Sequence, residues 1–298
     1  ARSGDSCLEY LLRGEHCVPS DLGIFLRFSY RMHPELCDLV SEMSYQSNLK
    51  PHPSAQSRKL ILPTARAQVK EVELPTQNQE VELPTQNQGA EARASRIVVK
   101  DGGVQFIQVA HDGNTQSSTE EADFVSEICK QLRASFYEDC DGTRPIEWED
   151  ILIVAPYNAQ VRLISSKLPP SARVGTVDRF QGQEALVVIV SCCHSDFSDE
   201  ATASGAADAP VHLSDGARGL SFVLNRNRLN VALSRAQCLA IVLASPTLAE
   251  AKPKSLSQQR ELNYFCRIRE VGEGQRVGAQ AAASKPRTGK AQSKKDWQ

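Results

Sequence analysis

The nine cysteines of this 298-residue sequence include no C-x-x-C pair, and their spacings are irregular. That argues against a zinc framework or a disulfide scaffold and leaves reduced thiols as the simpler reading. No apolar run approaches the roughly 20 residues of a membrane span, and the first residues lack the charged-then-apolar order of a signal peptide. The expected setting is therefore the cytoplasm, with no membrane partner. A surplus of charge is missing too. Lys plus Arg number 34 against 36 Asp plus Glu, for a net charge of -2. A nucleic-acid partner would have to be met by a local basic surface. The loop G-x-x-x-x-G-K-[ST] is also absent: Gly289-Lys290 has Ser284 in place of the first glycine and is followed by Ala291. Asp199-Glu200 stands nine residues beyond the apolar run ending at Val190, which does not suit a magnesium-binding pair. Without a phosphate-loop lysine and that acid, tight binding of MgATP by this chain alone is not expected. No metal site is expected either, because Cys192, Cys193 and His194 are consecutive and would alternate sides at a strand end. The sequence starts without Met, as expected of a piece of a longer protein.

What is present suffices for a sizeable core. At 41% hydrophobic and 23% charged, the chain fits one domain with appendages. Ile151-Leu152-Ile153-Val154-Ala155 is a continuous apolar run of strand length, and Leu186 to Val190 and Leu239 to Ala244 repeat the type. Such runs belong to strands buried on both faces. Helical stretches separate them, so the pattern predicts an α/β fold with a parallel sheet and helices on both faces. Val104 to Val109 alternates like an edge strand. Pro34 and Glu35 suit a helix start, with Leu36, Leu39, Val40 and Met43 following at helical spacing. Ser118-Thr119-Glu120-Glu121 reads as a capping box opening a helix through Val125, Ile128, Cys129 and Leu132. In a parallel sheet, ligands sit beyond the carboxyl ends of the strands.

The expected organisation is a lead-in over 1–24, one domain over 25–270 and a disordered basic tail over 271–298. Two flexible insertions interrupt the domain. One, at about 50–95, holds a tandem repeat in which Glu71 to Gln79 recurs as Glu80 to Gln88. The other, 196–219, is small and acidic in composition.

Three segments carry chemistry: Ser29-Tyr30-Arg31-Met32-His33-Pro34, Gly175 to Glu184 (Gly-Thr-Val-Asp-Arg-Phe-Gln-Gly-Gln-Glu), and Arg228-Leu229-Asn230-Val231-Ala232-Leu233-Ser234-Arg235-Ala236. Helical spacing of Leu229, Ala232, Leu233 and Ala236 predicts a packed face with Arg228 and Arg235, two turns apart, sharing its rim. A guanidinium so held is a preorganised fork for phosphate oxygens; the alternative is an ordinary amphipathic helix with solvent arginines. Gly182 suits a turn or a close approach, Glu184 suits ribose hydroxyls, and Thr176 offers a hydroxyl and an amide to a phosphate.

In this order the segments resemble the second RecA-like domain of superfamily 1 helicases of the nonsense-decay (Upf-like) type, over about residues 25–49 and 145–270. The string from Gly175 to Glu184 matches that family's motif V. The resemblance implies a RecA-like motor half in which Tyr30 lies against the nucleotide base and Arg31 contacts the terminal phosphates. It implies that Arg31 and Arg235 act catalytically as arginine fingers, with Gly182, Glu184 and Arg228 also at the nucleotide. Pro156-Tyr157-Asn158-Ala159-Gln160 resembles the family's Pro-Tyr-x-x-Gln segment, so Pro156, Tyr157 and Gln160, with Thr176, are the expected contacts to single-stranded DNA or RNA. Packing of Tyr157 is an equal alternative. ATP with magnesium is the implied cofactor, held mainly by an N-terminal RecA-like domain outside this sequence. Bacterial chains of this kind carry a RecB-like nuclease region upstream of the motor, but no nuclease carboxylates are found here. The competing reading is a non-catalytic α/β module that binds nucleic acid or a protein.

Overall fold

The computed structural model describes residues 17–19, 21–63, 99–195 and 220–273. The elements in chain order are β1 (Phe28–Ser29), α1 (Pro34–Ser44), β2 (Lys50–Pro51), β3 (Lys59–Ile61), β4 (Gly103–Gln108), α2 (Thr119–Arg133), β5 (Phe136–Asp139), β6 (Gly142–Pro145), β7 (Ile151–Val154), α3 (Asn158–Lys167), β8 (Arg173–Gly175), β9 (Ala185–Ser191), α4 (Leu220–Val223), α5 (Arg226–Leu233), β10 (Ala236–Ala244), α6 (Pro246–Ala249) and α7 (Leu256–Glu273). Five strands form the main sheet in the order β4-β10-β9-β7-β8, and every pair in it is parallel.

The apolar runs are doubly buried, as their composition demands. One side of each strand, through Val104, Phe106, Leu152, Val154, Val188, Val190, Ala240 and Val242, packs with α1, α5 and α7. The other side, through Ile151, Ile153, Val187, Ile189, Leu239, Ile241 and Leu243, packs with α2 and α3. Helices thus cover both faces of a RecA-like α/β sheet. The edge position expected of Val104 to Val109 holds. That edge is covered by α7, where Gly272 is so close that a Cβ there would sit 2.6 Å from the Phe106 nitrogen.

Four expectations change. Residues 50–63, assigned to a flexible insertion, are ordered: β2 pairs with β1, β3 pairs with β5, and Ala55 and Leu60 are buried. Strand pairing supplies the order that side-chain periodicity did not signal. α7 continues to Glu273, three residues into the expected tail, because Gly272 packs on β4. Ser118 does cap α2 by accepting from the Glu121 nitrogen, but the Glu121 carboxylate turns into the protein instead of completing a capping box. Finally, α5 ends at Leu233 and Ala236 already belongs to β10, so Arg235 lies in the turn between them rather than on the helix. The 71–88 repeat, the 196–219 segment and residues 274–298 fall outside the described residues. No helix among the described residues is long and apolar enough to cross a membrane.

Candidate functional site

The shape of α5 divides the expected site residues. It runs back along the sheet from the carboxyl end of β9 to the amino end of β10, so Arg228 and Arg235 stand at opposite ends, roughly 10 Å apart at the helical rise. The connection from β8 to β9 does the same with Thr176 at its start and Glu184 at its close. Two clusters result.

At the amino ends of β9 and β10, Glu184 is the centre. Arg31 Nε donates to its Oε2 and Gln237 Nε2 donates to its Oε1 at 2.9 Å. Arg31 also donates through a terminal nitrogen to the Ser234 carbonyl at 3.3 Å. His33 N donates to the Gln237 carbonyl at 2.8 Å, which ties the start of α1 to the start of β10. Arg173 bonds the side chain of Gln183 at 2.7 Å and steadies the loop before Glu184. The Arg31 guanidinium holds the Glu184 carboxyl below the usual glutamate range, against an opposing push from partial burial. Arg235 shares the cluster: its main-chain oxygen accepts from Ala185 N at 3.1 Å, and its Nε is buried without a partner. Burial, reinforced by the like charge of Arg31, lowers the pKa of Arg235. One carboxylate bonded to Arg31, with the Arg235 guanidinium nearby and its Nε unsatisfied, makes a site short of negative charge.

Tyr30 stands beside this cluster, 63% exposed, its ring stacked on His52 at 4.0 Å and 26°. Gly182 has φ +82° with open space around a notional Cβ, so glycine answers a turn requirement there rather than a tight approach.

At the carboxyl ends of β7, β8 and β9 lies a groove of about 210 Å³ that includes Pro156, Tyr157, Arg162, Thr176, Phe222 and Arg228. The Arg228 guanidinium sits 4.1 Å from the Phe222 ring centroid and 3.8 Å from Asp178. Arg228, expected at the nucleotide, lines this groove with Thr176 and Pro156. α3 begins here with Tyr157 as N-cap and no side-chain cap, and Asn158 and Ala159 of its first turn line the groove.

Gln160, expected at the strand, lies inside the protein. It is fully buried, accepting from Ser118 N at 2.8 Å and donating to the Ser118 carbonyl and to Ser191 Oγ. That amide has no surface left for a nucleic acid. Tyr157 is 5% exposed and lies against Phe222 at 5.3 Å, so the packing alternative describes its ring. Beneath the groove, the buried Glu121 carboxylate accepts from Ser191 Oγ at 2.6 Å and Cys193 N at 2.9 Å, and lies 2.9 Å from His111 Nε2. Glu121 joins α2, the end of β9 and, through Ser191, Gln160 of α3.

Gln237, Arg173, His52 and Arg58, which donates to the Arg31 main-chain carbonyl, were not anticipated. Gln237 had a signal, a polar residue interrupting the apolar run of β10. The others lie in segments without periodicity.

Comparison with known proteins fits this geometry. The family described as AAA domain matches residues 4–247. The Drosophila melanogaster protein named regulator of nonsense transcripts 1 homolog is 25% identical over 252 residues, 80% of this chain and 16% of that protein. The Danio rerio putative helicase mov-10-B.1 is 30% identical over 143 residues, 44% of this chain and 13% of that protein. The Schizosaccharomyces pombe DNA polymerase alpha-associated DNA helicase A is 27% identical over 215 residues, 71% of this chain and 26% of that protein. The chain thus spans about a quarter or less of the length of these relatives.

Proposed function

Because the chain belongs to the AAA domain family, as a motor domain of the nonsense-decay type of superfamily 1 helicase, we propose that it is the C-terminal half of an ATP-driven motor on single-stranded nucleic acid. The observation that carries this is the amino-end cluster, in which Arg31 binds Glu184, Arg235 lies near enough to feel both charges, and the Arg235 Nε has no partner. Such a cluster fits the polyphosphate of a nucleotide. ATP and its magnesium would be held mainly by an N-terminal RecA-like domain, and what they supply is the phosphoryl group whose transfer drives the cycle. Arg31 and Arg235 would then stabilise charge developing on that group, Tyr30 would carry the base on its open face, and Glu184, beyond the Gly182 turn, would accept from the ribose. Leu22, Ile24, Leu26 and Phe28 are all exposed at alternating positions leading into Tyr30, an apolar strip suited to a neighbouring domain.

The groove at the other end would hold a strand backbone, with Thr176, Arg228 and the first turn of α3 as donors to phosphates. α5 and the Thr176-to-Glu184 connection each run from one cluster to the other, so closure on the nucleotide would shift the grip on the strand. One relative is named for DNA and another for nonsense transcripts, so both nucleic acids are substrates to test.

The purified chain alone tests the half-motor reading. Hydrolysis of ATP is expected at background with and without single strands, because the phosphate loop lies elsewhere. Robust turnover that disappears on Arg235→Ala would show that the chain is a whole motor and contradict the reading.

A further inference from the structure

We propose that residues 50–61 brace the nucleotide-side loop: His52 positions the Tyr30 ring and Arg58 positions Arg31. The inference rests on the reading of Tyr30 and Arg31 as contacts to a nucleoside triphosphate, and it adds two residues that neither the motifs nor that reading supplies.

The segment is built to hold a position. At its start β2 lies parallel to β1, with Phe28 beside Lys50 and Ser29 beside Pro51. Lys50 N donates to the Arg27 carbonyl at 2.7 Å and His52 N to the Ser29 carbonyl at 2.9 Å. At its end β3 pairs antiparallel with β5, and Leu60 N donates to the Asp101 carbonyl at 2.6 Å. Ala55 is buried between these anchors. Pro51 and Pro53 flank His52 and fix their own φ angles, which stiffens the backbone carrying the imidazole.

His52 covers one face of Tyr30. The rings are 4.0 Å apart and inclined at 26°, and Phe28 meets the imidazole edge-on at 6.4 Å and 89°. On its far side His52 Nδ1 accepts from Ser54 N at 3.3 Å and lies 2.9 Å from Ser54 Oγ. The imidazole is thus oriented from behind, and it orients a tyrosine that otherwise projects into solvent. An exposed ring without such backing samples several rotamers, and a base would then have to select one of them.

Arg58 acts on the next residue. Its guanidinium donates to the Arg31 main-chain carbonyl, while the Arg31 side chain reaches Glu184 and Ser234. Arg31 is therefore gripped by its backbone from one side and by its side chain from the other. The Arg58 charge also falls near Glu184, where it assists Arg31 in keeping that carboxylate ionised.

The test is steady-state ATPase of the full-length protein that carries this chain, at saturating single-stranded oligonucleotide, with Arg31→Ala as the reference variant. His52→Ala should raise KM for ATP by about three- to tenfold, the scale of one lost aromatic pair, with kcat within about twofold. His52→Phe should restore KM although it cannot accept from Ser54, which separates backing of the ring from capping of the turn. Arg58→Ala should lower kcat by about tenfold or more, and Arg58→Lys should recover most of it, because a carbonyl needs only one N–H. If His52→Ala leaves KM unchanged, or His52→Phe is as impaired as His52→Ala, the role of His52 is overturned. Near-normal kcat in Arg58→Ala overturns that of Arg58. Should Arg58→Ala fail to fold, Arg58→Lys and the two His52 variants decide the matter. Loss of turnover in Arg31→Ala with all His52 and Arg58 variants at wild-type values sinks the brace alone. Retained turnover in Arg31→Ala sinks the nucleotide reading beneath it.

Discussion

The two ends of the sheet solve different problems with similar residues. At the amino end, Glu184 takes Arg31 and Gln237 at once, and the turn after α5 leaves Arg235 partly buried with an unmet donor. At the carboxyl end, Arg228 rests on the Phe222 ring beside Thr176 and the open first turn of α3, over a cavity lined by Val154, Val190, Cys192 and Leu229. The first arrangement suits one anion in one geometry. The second suits a chain of equivalent phosphates sliding past. Placement relative to the sheet, more than residue type, separates the proposed nucleotide site from the proposed strand site.

The comparison breaks most severely at Glu121. Its carboxylate is fully buried, and it supports the groove end through Ser191, Cys193 and His111. Glu121→Ala leaves those partners unmatched, and thermal or urea denaturation of the chain should show a loss of about 3–5 kcal/mol. A loss within about 0.5 kcal/mol, the scale of surface changes, would mean that the network is not structural. Arg228→Ala is the next largest effect. In the full-length protein it should weaken single-strand binding by about tenfold and lower the salt slope by about one, as removal of one phosphate contact does. If it instead raised KM for ATP and left strand affinity alone, Arg228 would belong to the amino-end cluster after all. The smallest effect concerns Glu184. Its pKa is depressed in the folded state, so the ion pair's contribution to stability is complete above the ordinary glutamate range and is lost as pH falls through the lowered value. Arg31→Ala should move the Glu184 titration upward toward ordinary glutamate, observed by carboxyl NMR. An unmoved midpoint would show that Arg31 is not its principal partner.

Much of the sheet was legible in the sequence because doubly buried strands leave a simple mark: Ile151 to Val154, Leu186 to Val190 and Leu239 to Ala244 are apolar without alternation. Helix starts at Pro34 and Ser118 were equally plain. The helical pattern from Leu229 to Ala236 misled, because an apolar alanine closing a helix face and an apolar alanine opening a buried strand look alike in sequence. That single turn moved Arg235 off the helix and parted it from Arg228. Gln160 misled for another reason. The Pro-Tyr-x-x-Gln resemblance put it at a strand, yet both its amide atoms find partners on Ser118 and Ser191, which lie far away in the chain. The order of residues 50–61 rests on strand pairing and ring stacking between distant segments, which no local pattern records.

The central claim is that the two ends carry separate tasks, and one paired measurement tests it most directly. Arg235→Ala and Thr176→Ala would be compared side by side in the full-length protein, each for strand-stimulated kcat and for single-strand affinity. The account predicts that Arg235→Ala lowers kcat by about 10³-fold, the low end of an arginine finger, with strand affinity nearly unchanged. Thr176→Ala should do the reverse, weakening strand binding while kcat at saturating strand stays near normal. Near-normal kcat in Arg235→Ala, or equal damage to both quantities in both variants, would contradict it.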